Sequence, residues 1–454
     1  MRKEKFQKNM QRQNDKKRTK SDLTVQEKSD LSTNSDKHIK YNWLICLTML
    51  AAFIILGLAL DTPGNLWNGI IRIVSSSSVL TTDYFVVGGV GGALMHNACF
   101  LIMLLTVVLL SKTKLTGFIM VNIFMPVGFA FFGMNVLNVL PFYLGVYIYA
   151  KRYKQPFSKY ITNAFNFGCM GPIVSFIGLH SGLPYYFSVP LAIVYGALIG
   201  FFGITFAANC SKLHRGYTLY NTGFAGGFIG ILTIALLGIF KIEVARPDIL
   251  LEKTSLPFAI FLIAFSVYIL LMGLFLSKKS DSGSYFKLLK RTGYGEVFYE
   301  CCGAANAYIN MGITGLLVTG FSLAMGTPLT GPVIGGILSV MGYAALGKHP
   351  FNIIPVILGV TLSGLAAGAD LSSSGFVMIG LFGTALAPLC GDYGIIPGII
   401  AGFMHYAITR ISSDFHGGFV LYNNGFASGV VAILLINILN NLPKNLFRRN
   451  NTNS

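Results

Sequence analysis

Residues 115–146 read LTGFIMVNIFMPVGFAFFGMNVLNVLPFYLGV, and residues 329–360 read LTGPVIGGILSVMGYAALGKHPFNIIPVILGV. Aligned without gaps at an offset of 214, they agree at twelve of 32 positions. An apolar-biased composition would give roughly two to four matches by chance. Further along, the offset falls to 202, and HRGYTLYNTGFAGG (214–227) matches HGGFVLYNNGFASG (416–429) at nine of 14 positions. The apolar stretch 42–60 maps at offset 214 onto 256–274. The chain is an internal duplication, and this organises everything else in it.

Outward from that repeat, the composition is that of a membrane protein. Of 454 residues, 53% are hydrophobic and 11% charged, with a mean hydropathy of +0.64; soluble domains carry about 25% charged residues. Apolar segments are expected at 42–60, 85–111, 115–133, 136–150, 166–180, 187–207, 219–240, 256–277, 297–326, 329–347, 351–367, 374–390, 394–411 and 421–441. All are read as α-helices, since open strands cannot satisfy their backbone groups in lipid. The expected fold class is thus an all-α integral membrane protein with about fourteen spans, two inverted seven-helix repeats and Gly-rich broken segments. The domains are a basic cytoplasmic tail (1–41, disordered), a first repeat (42–241), an external linker (242–255), a second, inverted repeat (256–441) and a cytoplasmic tail (442–454). The seven cysteines form no CxxC pair, so neither a disulfide framework nor a zinc site is read.

Seven spans per copy is an odd number, so the second copy should enter the membrane from the opposite side. Charge tests this. With the N-terminus inside, loops 112–114, 151–160 and 208–216 carry eight Lys/Arg and their repeat partners one, Arg410. The external loops of the first copy carry four and their partners nine. With the tail included, 29 of 34 positive residues lie inside, and the same loops reverse their charge between copies. The +17 net charge is therefore read as topology and not as nucleic-acid binding.

Inverted repeats point to secondary transporters, whose sites lie where Gly-interrupted segments occupy corresponding positions in the two halves. One such pair is 83–111, with Gly88-Gly89-Val90-Gly91-Gly92 before His96 and Asn97, and 297–326, with Gly303, Asn306 and Asn310. The other is the repeated Tyr-Asn-x-Gly-Phe-Ala stretch, where Tyr220, Asn221, Tyr422 and Asn423 are expected to wall one central site, the two asparagines approaching across the pseudo-two-fold axis. Helix capping is the plainer reading of those asparagines, as it is of Asn138 and Asn352. All Lys and Arg are placed in loops or at segment ends. Of 17 acids only Glu300 is set in an apolar segment, where it is either an ion-coupling carboxylate or a surface acid beside Glu296. His96, His180, His349 and His405 show no ligand spacing, so no metal or other cofactor is expected. No phosphate-binding loop, HExxH or GxSxG occurs, and no enzyme is read.

The duplicated LYNTGFAGG and LYNNGFASG stretches and the overall length resemble uncharacterised bacterial membrane proteins, found mainly among low-GC Gram-positive bacteria, that carry tandem copies of a domain of unknown function. The resemblance covers nearly all of 42–441 and implies a cell-membrane location but no activity. A fainter similarity runs to urea transporters: Tyr220-Asn221 with Gly226, and Asn310-Met311-Gly312-Ile313-Thr314-Gly315, echo their Tyr/Phe-Asn and Asn-Pro-x-Ser/Thr-Gly motifs. The proline is missing and the spacing from Asn310 to Asn423 is longer, so no urea site is carried over. In architecture alone the chain is also similar to nucleobase and sulfate transporters. The expected function is transport of a small solute, with ion coupling through Glu300. The alternatives are a passive channel for a small neutral solute such as urea and a non-transporting membrane protein. The partners expected are that solute and the lipid bilayer, with a homo-oligomer left open and no nucleic acid.

Overall fold

The computed structural model describes residues 38–253, 256–278 and 284–441. Most of the two terminal tails lies outside the described residues. Among those residues the chain is helical, with no strand beyond an isolated bridge between Thr82 and Ile249.

Ten helices form the first copy: α1 (Ile39–Leu60), α2 (Pro63–Val74), α3 (Tyr84–Gly88), α4 (Val90–Leu110), α5 (Gly117–Phe129), α6 (Leu140–Arg152), α7 (Ile161–Phe167), α8 (Gly171–Ser175), α9 (Tyr185–Leu213) and α10 (Asn221–Ile239). Ten more follow in the same order: α11 (Leu256–Ser277), α12 (Tyr285–Leu288), α13 (Phe298–Cys301), α14 (Ala304–Ala324), α15 (Gly331–Tyr343), α16 (Pro350–Ala366), α17 (Ser374–Gly383), α18 (Ala387–Tyr393), α19 (Ile395–Phe415) and α20 (Asn423–Asn441). The boundaries of α4 and α14, and of α5 and α15, agree to the residue at an offset of 214, and those of α10 and α20 at 202. Within the copies α1 packs on α4 as α11 does on α14, and α6 on α9 as α16 does on α19. The copies meet through α5 against α15 and α10 against α20.

Nine helices among the described residues are long and apolar enough to cross a membrane, fewer than the fourteen apolar segments of the sequence. Hydropathy finds apolar stretches but not their breaks. Segments 115–133 and 329–347 are helical only over α5 and α15, 13 residues each. At 1.5 Å per residue that is about 20 Å, short of a hydrocarbon core of about 30 Å. Every residue of α15 is buried, and all of α5 except Phe118. These two are core helices, each started by a threonine, Thr116 or Thr330, whose hydroxyl accepts the N–H of Ile119 or Val333. Segment 166–180 is broken by a 3₁₀ turn at Gly168–Met170 and a π turn at Phe176–His180, and its counterpart by a 3₁₀ turn at Thr384–Leu386. Helix α2 is amphipathic: Leu66, Gly69 and Ile73 face inward while Trp67 and Ile71 are exposed, as suits a helix lying along a membrane surface.

Candidate functional site

Helices α3 and α4 are one apolar segment cut at Gly89 (φ +76°), and α13 and α14 one segment cut at Gly303 (φ +82°). At these φ values a side chain would clash with its own backbone, so glycine fixes both breaks. The two short half-helices then reach into the other copy. The Asp83 carboxylate, before α3, accepts the N–H of Phe85 (2.9 Å), of Leu251 in the linker (3.2 Å) and of Gly331 at the start of α15 (3.1 Å). Tyr299 of α13 lays its ring over Gly117 at the start of α5, and its hydroxyl donates to Asn42 of α1 (3.3 Å), which also accepts from Tyr308 (2.6 Å). Asp83 is fully buried, and burial pushes its carboxyl up to about 6 against the opposing pull of its three N–H donors.

The polar residues just past each break are all buried. Asn306 Nδ2 donates across the Gly303 break to Cys302 O (3.0 Å). Asn310 Nδ2 donates to Ala344 O and Lys348 O (2.7 Å each), and its Oδ1 accepts from Tyr285 (3.0 Å). His96 occupies the equivalent place in the first copy, buried edge-on to Tyr84 with ring centroids 5.6 Å apart. Beside it, the buried amide of Asn97 has no hydrogen-bond partner among the described residues.

In the repeated motif it is the tyrosines that meet. The rings of Tyr220 and Tyr422 stand 4.9 Å apart, and the backbones of Gly223 and Gly425 pass too closely for a Cβ on either. The asparagines turn instead to their own copies. Asn221 Oδ1 lies 2.9 Å from His214 Nε2, and its Nδ2 donates to Ala207 O (3.0 Å). Asn423 Oδ1 lies 2.8 Å from His416 Nε2 and accepts from Ser412 (2.6 Å). Each asparagine follows its histidine by seven residues, so the pair closes the turn between two helices within one copy. His214, in the loop 208–216, and its repeat partner His416 are both buried. Asn423 and its neighbour Asn424 line a cavity of about 420 Å³ under the linker, together with Thr81, Arg246, Asp248 and Arg410.

Beside the paired tyrosines lies a group that the sequence placed in a loop. Lys348 is completely buried. Its Nζ donates to Tyr220 Oη (2.6 Å) and Thr384 Oγ1 (2.8 Å), and sits 4.4 Å and 5.3 Å from the ring centroids of Tyr220 and Tyr343. No carboxylate pairs with it among the described residues. The charge count assigned Lys348 to a cytoplasmic loop because it falls between two apolar segments; the first of them, α15, is a short buried helix, so the loop that leaves it is buried too. Glu300, set by the sequence inside one long segment, stands exposed on the four-residue α13 because the Gly303 break ends that helix before it can bury the acid. The buried acid is Asp83. The signal available for Lys348 was the repeat alignment itself, which pairs it with Met134.

No curated protein and no solved structure matches the chain. A family model described as a protein of unknown function (DUF1576) matches residues 62–239 and 282–441, two tandem stretches that cover each copy apart from its first helix. Matched over most of its length, the chain belongs to the DUF1576 family of proteins of unknown function.

Proposed function

We propose that this protein is a membrane carrier of a small solute, built from two copies inserted in opposite directions, with both termini cytoplasmic. The observation that carries the reading is the pair of glycine breaks at Gly89 and Gly303, at equivalent places in the two copies. Carriers with inverted repeats place their sites at such interrupted helices, where backbone groups are released from the helix. Two further features support it. The half-helices dock on the opposite copy, so a shift of one copy against the other must move them. Polar side chains (Tyr220, Tyr422, Lys348, Thr384) gather, buried, where the copies cross, and polar groups buried in a membrane protein are costly and kept for function. Asp83, bridging the copies through Gly331, is better placed than Glu300 for a coupling carboxylate.

The test is uptake into proteoliposomes containing the purified protein. A carrier shows saturable exchange of labelled for unlabelled solute, and accumulation when a proton or sodium gradient is imposed. Flux that only runs downhill and lacks exchange assigns a channel, and no flux for any solute overturns the proposal.

A further inference from the structure

We infer that the solute is a small monovalent anion, that Lys348 is the charge that binds it, and that it arrives from the cavity beneath the linker past Asn424 and His405. This deepens the carrier reading and rests on it.

Among the described residues no carboxylate stands beside Lys348 to offset a charge on it. Thr384 spends its own proton on Leu381 O (2.5 Å), so it offers the lysine only a lone pair. Tyr220 and Tyr343 present ring faces, which attract a cation but do not neutralise it. An ammonium carries three donors, and two are used. A single anion would supply the missing charge and accept the third. Packing does not require this lysine: the first copy fills the same slot with Met134, the residue equivalent to Lys348, against Gly168, which opens the 3₁₀ turn that Thr384 opens in the second copy.

The second copy also carries the polar residues that join this site to the cavity. Gly383, next to Thr384, lies directly against the His405 ring, where a Cβ would come within 2.8 Å of Cδ2. His405 Nε2 is 3.0 Å from Asn424 Oδ1, and Asn424 lines the cavity. At the cavity Arg246 is held by Asp414 (2.7 Å), whereas Arg410 is partnered by the ring of Tyr406 at 6.0 Å. At offset 202, His405, Thr409, Arg410 and Asn424 replace Gly203, Ala207, Ala208 and Thr222. The basic and amide groups thus occur in one copy only, in a line from the surface to Lys348. Such a line attracts and passes an anion.

The experiment measures the melting temperature of the full-length protein in detergent while sodium chloride, nitrate, formate or acetate is titrated at constant ionic strength, with urea as a neutral comparison. At least one of the four anions should stabilise the protein saturably. Lys348→Met, which installs the side chain of the first copy, should weaken that anion at least ten-fold while eluting as a folded protein; Lys348→Gln serves if the methionine variant does not fold, and Lys348→Arg should retain binding. Absence of saturable stabilisation by all four anions, or equal stabilisation of Lys348→Met, overturns the inference. Counterflow in proteoliposomes separates it from the reading beneath it. Anion binding without exchange defeats the carrier and leaves the anion site. Exchange of urea alone, unaffected by Lys348→Met, defeats the anion site and leaves the carrier.

Discussion

A buried carboxyl that prefers its proton makes stability depend on pH in the opposite sense from a salt-bridged one. Asp83 titrates near 3.8 when unfolded and at about 6 in the fold, so the folded protein binds the proton more tightly. The stability this contributes is complete below about pH 4 and is lost as the pH rises through 6. Thermal unfolding in detergent should therefore show a decline over that window in the wild type, and Asp83→Asn, neutral throughout, should flatten it. Asp83→Ala leaves the N–H groups of Leu251 and Gly331 without their acceptor and is expected to cost about 1–3 kcal/mol at pH 4, and less as the pH rises through 6. Neither Asp83 nor Lys348 was legible as buried in the sequence, and for the same reason. Each is a charged residue beside short apolar stretches, and what encloses it comes from far along the chain: Gly331 for Asp83, Tyr220 for Lys348.

At the level of elements, composition revealed the helices but not their lengths. A stretch that is apolar on all sides carries no period from which to read its neighbours, so α5 and α15 looked like spans when they are buried core helices. The breaks at Gly89 and Gly303 were visible because glycine falls at the same position in long apolar segments of the two copies, whereas the 3₁₀ and π turns within 168–180 have no comparable mark. The breaks can be tested directly. A Cβ on Gly89 would meet only Asp61 Oδ2 at 3.7 Å, an ordinary contact, so Gly89→Ala adds backbone strain alone and should destabilise by about 1–3 kcal/mol. Gly64, in helical backbone on α2 with nothing within 4 Å, is the control: Gly64→Ala should be neutral or stabilise by up to about 1 kcal/mol. Chemical denaturation of the two variants in the same detergent decides it.

For the whole molecule, the duplication was readable to the residue, because twelve identities in 32 positions survive any error in segment boundaries. The inversion of the copies rests on the charge of their loops and makes a paired prediction. Lys212 and Asp414 occupy equivalent, exposed positions at the ends of α9 and α19. Cysteines placed there one at a time should react with a membrane-impermeant maleimide from opposite sides, Lys212→Cys from the cytoplasm and Asp414→Cys from outside. Labelling of both from one side would mean the copies are parallel. The contact between Asp83 and Gly331 also sets a timetable. Its two ends lie 248 residues apart, and a ribosome adding about 5–20 residues per second needs on the order of ten to fifty seconds to make the second after the first. Throughout that interval the nascent first copy holds a half-helix whose acid lacks its donor from the second copy, so the molecule waits unfinished in the membrane until that half arrives.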